Sequence, residues 1–542
     1  MAFPGFPAEI WWLIVDQAAS MEDVSTILLL ARLNRAMACL ALPLMYSIVK
    51  GLTYTHADEE AVCFWRSIIV SSLGRTLYPY CCWVKTLDFN DLLNFLRDIA
   101  KSEDAELRRM FYSPPLRYLQ LLQTDTSNHE LLQTDDYDHD DLKGNVGPHV
   151  LFCEVVNKIT EGIQATLAQG HVTSRLAKIR FPDLEYLPCR MYFPVWISRL
   201  CGLTTLHIHD AALLNEQVNL AITQNCSALK HLLLQTLPPN TIVKQGVVAD
   251  PHILQALGRH SGSLKVLQLT QLGIRALGAL NKLQKCNALE SLCLDGSLAD
   301  PDVDIVRSDT AVYGQCVQWL QNCAHMTHLS LSFFPGSTQL LMDSLTGPKL
   351  RLKSLTLVAV EANAPWYSEL HHQAKLEYLN VGVPQRWFQE LGPATGRCQG
   401  LAAGVSRCPE LTELETEEYL SVADISMISE GALKLEKISF NGSLVHDAHI
   451  MPLANLPRLK EVYVTGDSAF TASGILRFFK KMRETPGHDH QGFEFSAEFQ
   501  QGTSIGQKEY KRLRRAAKRA FDGDVDIQFI HSDGEDYYYE EN

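Results

Sequence analysis

The pentapeptide Gly502-Thr503-Ser504-Ile505-Gly506 has the G-x-S-x-G spacing of a serine nucleophile elbow. In that chemistry a sharp strand-to-helix turn presents the serine hydroxyl to a histidine base, beside backbone N–H groups that hold an oxyanion. The flanks fit in part. A strand-like stretch, Phe493–Phe499, precedes it and a helical stretch, Gln507–Phe521, follows. The remaining parts are missing. An acid, a histidine and further strands would have to come from the residues after Gly506, where the only histidine is His531. No hydrolase sheet is read before it. Ser504 with Gln507 reads better as a capping box for the next helix. A hydrolase using Ser504 is therefore the minor reading. No catalytic residue is assigned, and the chain is not expected to be an enzyme.

Other chemistry-bearing residues are equally scattered. The fourteen cysteines stand singly apart from Cys81-Cys82, and no Cys-x-x-Cys occurs. The spacing of zinc fingers and thioredoxins is thus absent. His371-His372 and His488-Asp489-His490 read as inert surface clusters. The acidic insertion 123–147 repeats Leu-Leu-Gln-Thr-Asp, but its spacing fits no EF-hand. No glycine loop for phosphate is present, so neither metal nor cofactor is expected. The net charge of −14 argues against a general nucleic-acid binder, which needs clustered positive charge. Glu9, Asp16 and the lack of a leading Lys or Arg make a poor signal peptide. No apolar run approaches the roughly 20 residues of a membrane span. The cysteine usage then implies a reducing compartment, cytoplasmic and/or nuclear, with most thiols free and buried.

The elements that would position any site come from a repeat. Leu-x-x-Leu-x-Leu, with other aliphatic residues or Phe allowed, begins at Leu203, Leu229, Leu264, Leu289, Met326, Leu352, Leu376, Leu435 and Leu459. Weaker copies begin at Val84, Leu116, Leu176 and Leu411. Most spacings fall within the leucine-rich-repeat period of about 20–29 residues. Longer gaps hold insertions such as Asp295–Tyr313. The alternating part has period two and reads as a strand with one buried face. Helical stretches such as Asn215–Gln224, Ile274–Lys285 and Val312–Gln321 lie between. One unit cannot bury its own leucines, so the units must stack. The expected fold is an α/β leucine-rich-repeat solenoid, a horseshoe with parallel strands on its concave face and helices on its convex face.

Cys226, Cys286, Cys323 and Cys408 each stand three residues before the first core residue of a unit. A small, readily buried side chain suits that junction. This placement resembles the cysteine-containing leucine-rich repeats of F-box proteins. Side chains between the strand leucines point outward. Early units place Lys178, Arg180, His207, His209 and His231 there, and late units Glu413, Glu415, Glu417, Glu418 and Glu461. The late surface, with Tyr378, Asn380, Glu413, Glu415, Glu417 and Tyr463, is the candidate substrate face, and its charge fits a basic segment.

The first fifty residues read as three short helices. Pro7 sits at the first turn of one, Ser20 or Asp23 caps a second over Ile27–Ala31, and a third covers Arg35–Ala41 and stops near Pro43. The segment resembles an F-box. Phe6-Pro7-x-Glu9-Ile10, Ile14, Asp23-Val24, Leu33-Asn34-Arg35, Leu40, Pro43-Leu44 and Tyr46 match its phrases, while Phe6 replaces the usual Leu and Met37 an aromatic. The resemblance covers about a tenth of the chain. It implies binding of a Skp1-like adaptor through Pro7, Ile10, Ile14, Leu33, Leu44 and Tyr46, and entry into a cullin-RING ubiquitin ligase.

The expected organisation is an F-box-like module (1–50), a helical linker (51–83), the solenoid (84–465) and a C-terminal cap with a basic helix and an acidic tail (466–542). The basic helix, Gln507–Phe521, carries Lys508, Lys511, Arg512, Arg514, Arg515, Lys518 and Arg519, with Leu513, Ala517 and Phe521 facing inward. The expected role is a substrate-recognition subunit, a monomer within its complex, that takes an unknown protein substrate and uses neither nucleic acid nor membrane. The alternative is a repeat scaffold whose degenerate N-terminal cap binds no adaptor.

Overall fold

Alternation of aliphatic and polar residues becomes strand wherever a neighbouring strand can take the backbone hydrogen bonds and the aliphatic side can be buried. Fourteen strands do so among the described residues of the computed structural model. It describes residues 7–48, 58–124, 146–170, 174–182, 187–209, 213, 216–234, 257–270, 272, 280–296, 310–334, 336–347, 349–358, 365–382, 399–442, 445–466, 468–485, 490–500 and 505–530. The fold is α/β. Strand order in the sheet follows the sequence, and every described pairing is parallel. The chain divides into two compact units, residues 1–266 and 267–542. Among the described residues no helix is long and apolar enough to cross a membrane.

The first unit opens with α1 (Ala8–Ser20), α2 (Val24–Leu33) and α3 (Arg35–Ile48). Pro7 is the residue flanking α1, and the Asp23 carboxylate caps α2 by accepting from the Thr26 N–H at 3.0 Å. Val15, Ile27, Met37 and Ala41 form the small core between these helices. The third helix does not stop at Pro43 but continues to Ile48. A proline inside a helix costs about 3 kcal/mol. Burial of Met37, Ala38, Ala41 and Tyr46 along the same helix offsets that cost.

The segment expected as a linker is packed structure where it is described. In α4 (Glu59–Ser72), Val62, Trp65, Ile68 and Ile69 are buried, and α5 (Tyr80–Trp83) follows. Next come β1 (Thr86–Asp88), α6 (Phe89–Lys101), α7 (Ala105–Tyr112), α8 (Arg117–Thr124) and α9 (Val146–Ala168). The weak repeat copy at Leu116 is helical, not strand. Leu116 and Leu119 stand three apart, which satisfies a helical face as well as the repeat pattern. Then β2 (Lys178–Phe181), α10 (Leu187–Arg199), β3 (Thr205–Ile208), α11 (Glu216–Asn225) and β4 (His231–Leu234) alternate. Leu87, Ile179, Leu206 and Leu232 stand in register and are buried. Cys153 on α9 and Cys189 on α10 form a disulfide, while most of the other described cysteines are free and buried, as expected. The insertion 123–147 lies almost wholly outside the described residues.

The unit boundary falls at the start of β5 (Val266–Leu269). In the second unit β6 (Ser291–Asp295), β7 (His328–Ser332), β8 (Ser354–Val358), β9 (Tyr378–Gly382), β10 (Glu413–Tyr419), β11 (Lys437–Asn441) and β12 (Glu461–Thr465) pair in turn. Between them lie α12 (Thr310–Asn322), α13 (Ser337–Leu345), a 3-10 helix (Pro365–His372), α14 (Gln399–Val405), α15 (Val422–Gly431) and α16 (Asp447–Ile450). Of the stretch Ile274–Lys285, the described part is a 3-10 turn over Leu280–Leu283. Pairing does not end at residue 465. After α17 (Ala472–Glu484), β13 (Glu494–Gln500) joins β12, and after α18 (Gln507–Phe521), β14 (Asp524–Ile530) joins β13. Leu292, Leu329, Leu355, Leu379, Leu414, Ile438, Val462, Phe495 and Val525 thus form one buried row.

Close approach of successive connections demands glycine at particular helix positions. A Cβ on Gly431 of α15 would meet the Ser406 carbonyl oxygen at 2.2 Å and the Ser406 Cα at 2.6 Å. On Gly314 of α12 it would meet nothing within 4 Å. Gly431→Ala is expected to lower unfolding free energy by about 1–3 kcal/mol through overpacking. Gly314→Ala is expected to raise it by about 0.4–1 kcal/mol, since it only restricts the unfolded chain. Urea unfolding of the two variants beside the parent chain checks the opposite signs.

Candidate functional site

The residues carried over as adaptor contacts belong to the first unit and separate into two groups. Ile10, Leu13 and Ile14 occur at i, i+3 and i+4, so they share one side of α1. All three are exposed, as are Trp12 on α1 and Leu29 and Leu33 on α2, the last two at 63% and 56%. Pro7 is exposed at the start of α1, where its carbonyl accepts from the N–H groups of Ile10 and Trp11. Leu44 is half-buried against the core of the three helices.

Tyr46 departs from its expected place. It is 6% exposed, its hydroxyl donates to Ser67 Oγ at 2.7 Å, and its ring stacks on Tyr80 at 4.9 Å. Burial pushes its phenol pKa up to about 12. The side chain therefore fastens α3 to α4 and α5. Arg175 adds a second tie by donating from Nη1 to the Pro43 carbonyl at 3.2 Å.

Of the early basic residues, Arg180 and the three histidines are likewise engaged within their unit. Arg180 donates from Nε to His209 Nε2 at 2.8 Å and pairs with Asp88 at 3.5 Å. His207 stacks on His209, and His231 Nδ1 meets Thr205 Oγ1 at 3.2 Å. Burial, followed by the Arg180 charge, depresses the His209 pKa. Burial and the neighbouring Asp88 carboxylate raise Asp91 to about 6, against the opposing pull of Arg180.

In the second unit the parallel register converts scattered polar residues into columns. One runs Tyr378, Glu413, Lys437, Glu461, Glu494 and Asp524. The next runs Asn380, Glu415, Ser439, Tyr463, Ser496 and Asp526. Glu415 Oε2 accepts from Tyr378 Oη at 2.9 Å and from Asn380 Nδ2 at 2.7 Å. Lys437 Nζ sits among Glu413 at 3.0 Å, Glu415 at 3.5 Å and Glu461 at 3.7 Å. Its hydrogen bond to Glu413 holds the ammonium pKa above the ordinary lysine value. Tyr463 donates to Glu498 Oε1 at 2.9 Å, while Glu498 Oε2 accepts from the Gly466 N–H. Asp524 is gripped by Arg514 Nε at 2.9 Å and Nη2 at 3.3 Å. Burial alone would raise its pKa, but Arg514 and the Val525 N–H hold it below the usual carboxylate range.

The face thus unites the predicted Tyr378, Asn380, Glu413, Glu415 and Tyr463. Glu417 is exposed on the same strand. Glu418 is turned inward instead. The register between β10 and β11 shifts from Glu415 to Tyr419, and a bulge of this kind re-aims side chains. Glu418 is 2% exposed and accepts from the Tyr367 hydroxyl. Glu494, Glu498, Asp524 and Asp526 join the face from strands placed in the expected cap. The alternation Phe493, Phe495, Ala497 and Val525, Ile527 was the signal that could have found them.

The junction cysteines Cys226, Cys286, Cys323 and Cys408 are fully buried, and desolvation raises their thiol pKa values to about 11–12. Their role is local. Cys323 Sγ reaches the Cys286 carbonyl at 3.8 Å, and Cys408 Sγ the Leu370 carbonyl at 3.7 Å. Gln373 occupies the equivalent position before Leu376 and went unnoticed. Its amide accepts from the Leu352 N–H at 2.9 Å and donates to the Leu345 carbonyl at 3.1 Å. Ser504 and His488-Asp489 lie outside the described residues. His490 is buried, with Nδ1 2.8 Å from the Leu459 carbonyl. On the basic helix Leu513, Ala517 and Phe521 face inward, and its first turn is closed by the Gly506 N–H donating to Glu509 Oε2 at 3.0 Å.

Lys437 is the central neutralising charge of the carboxylate cluster. Lys437→Met is expected to lower stability by about 1 kcal/mol at low salt, and the loss should shrink at high salt as the carboxylates are screened from one another. Urea unfolding at both ionic strengths measures this. A scan against protein-family models and a search of curated proteins both return no match for the chain.

Proposed function

We propose that the chain is the substrate-recognition subunit of an SCF-type (Skp1–cullin–F-box) ubiquitin ligase. In this reading residues 1–50 are an F-box-like module that binds a Skp1-like adaptor. The strand-and-helix repeats are a leucine-rich-repeat solenoid that binds a protein substrate. The carrying observation is the outward display of Ile10, Trp12, Leu13, Ile14, Leu29 and Leu33 on two short helices. Large apolar side chains concentrated in this way mark an interaction surface rather than ordinary scatter. The acidic columns of the second unit supply the other half. They offer carboxylates on a regular strand spacing of about 4.8 Å, complementary to a segment rich in Lys or Arg. The chain then contributes proximity, and bond-making belongs to its partners.

One observation favours the second reading, a repeat scaffold without an adaptor. Tyr46, one of the carried-over contact positions, is spent on internal packing.

Affinity purification of the full chain, followed by mass spectrometry, separates the two. A Skp1-like adaptor should copurify, and Ile14→Glu combined with Leu33→Glu should abolish its capture without changing unfolding. Tyr46→Phe should retain capture while costing about 1 kcal/mol through the lost hydrogen bond. A folded chain that captures no adaptor leaves the scaffold reading. For the strand face, Glu494→Lys with Asp526→Lys should weaken binding to a Lys/Arg-rich peptide about tenfold, and the parent affinity should fall as salt rises. Equal binding by both forms would remove the acidic columns from substrate recognition.

A further inference from the structure

The turn that leads into β9 carries ligating groups that the strand face does not use. Pro365–His372 is a 3-10 helix, in which side chains three apart eclipse one another. Glu369 and His372 are such a pair, and His372 Nε2 lies 3.4 Å from Glu369 Oε2. His371 joins them, its ring centroid 3.8 Å from that of His372. One ligand atom from each of Glu369, His371 and His372 falls within 4.8 Å of the other two.

Ser368 orients two of the three groups. Its hydroxyl shares one proton between the Pro365 carbonyl at 2.8 Å and Glu369 Oε1 at 2.9 Å, and Oε2 lies on the histidine side. Its carbonyl lies 2.5 Å from His371 Nδ1. A carbonyl can only accept, so Nδ1 carries the proton and Nε2 keeps its lone pair. Metal-ligating imidazoles are commonly held in this way, with the second nitrogen donating to a carbonyl. Below the cluster the turn is anchored by Trp366, Tyr367 and Leu370, all essentially inaccessible to solvent. The ligands therefore stand on a rigid base while His371 and His372 remain exposed.

We propose that Glu369, His371 and His372 form a binding site for a divalent cation of the zinc class. Two ligands bonded to zinc at about 2.0–2.1 Å and at the tetrahedral angle lie roughly 3.3 Å apart. The His372–Glu369 separation already meets that value, and a shift of the exposed side chains within their 4.8 Å cluster brings His371 to the third position. Water completes the coordination. Two imidazoles with one carboxylate favour zinc over calcium or magnesium, which prefer oxygen ligands throughout.

The test uses the purified full chain and zinc ion alone, in competition with a chromogenic chelator. The parent chain should bind one equivalent. His371→Gln with His372→Gln should weaken that binding at least about tenfold, and Glu369→Gln alone should weaken it measurably. Zinc should raise the melting temperature of the parent and not of the double variant, whereas calcium and magnesium should raise neither. Circular dichroism without metal controls for folding, and the Glu369→Gln chain serves should the double variant fold poorly. Equal zinc binding by parent and variants would overturn the proposal and assign the ion to exposed thiols such as Cys39, Cys63 and Cys201. An absence of zinc binding by the parent would overturn it as well.

Discussion

The aliphatic faces of the described strands merge into one buried surface because each strand repeats the register of the one before it. The device is a shared acceptor. The Lys353 and Ser354 N–H groups both donate to the Thr327 carbonyl, and those of Glu377 and Tyr378 to the Lys353 carbonyl. The same step recurs at Thr412–Glu413 onto Glu377, at Glu436–Lys437 onto Thr412 and at Lys460–Glu461 onto Glu436. Fixing two donors on one acceptor fixes the stagger. Every leucine then falls on the leucine before it, and the buried row follows. In such a construction stability is approximately a sum over contacts between neighbouring strand-and-helix segments. The small residues at the junctions serve the same end. Gly431, Cys323 and Cys408 let one connection settle against the one before it.

The register that aligns leucines also aligns charges. Glu413 and Glu461 flank Lys437 on adjacent strands, and Glu494 and Asp524 continue the same column. Like charges at strand spacing repel, and two cations ease the strain. Lys437 lies among three carboxylates, and Arg514 reaches Asp524 from α18. The acidic residues still outnumber these cations, so the face keeps a negative charge. Its tyrosines are not idle either. Tyr378 and Tyr463 each donate to a glutamate, so they hold carboxylates in place.

The N-terminal helices meet the opposite difficulty. Three short helices enclose little volume, yet α1 is apolar on nearly every side. Val15, Ala18 and Ala19 take the interior, which leaves Ile10, Trp12, Leu13 and Ile14 outside. The helices gain further support through Tyr46 and through Arg175 on the Pro43 carbonyl. This exposed apolar surface and the acidic columns are chemically distinct, one hydrophobic and one charged.

Much of this was legible in the residues. Period-two alternation located the strands beginning at Lys178, Thr205, His231, Val266, Ser291, His328, Ser354, Tyr378, Glu413, Lys437 and Glu461, because burial of one strand face leaves that pattern in any sequence. The same pattern failed at Leu116, where spacing alone cannot separate a strand from a helix face. It read Phe493–Phe499 as a strand but left it outside the repeat, which stopped at residue 465, since β13 and β14 lack the leading leucine of the earlier copies. Glu494, Glu498, Asp524 and Asp526 were missed for that reason. Whether Glu418 points outward, whether Tyr46 is available to a partner, and which glutamates Lys437 joins were settled only in three dimensions. Local spacing dictates which side of its own strand a residue occupies, whereas a bulge, a neighbouring helix or a shared cation acts through residues far away in the chain.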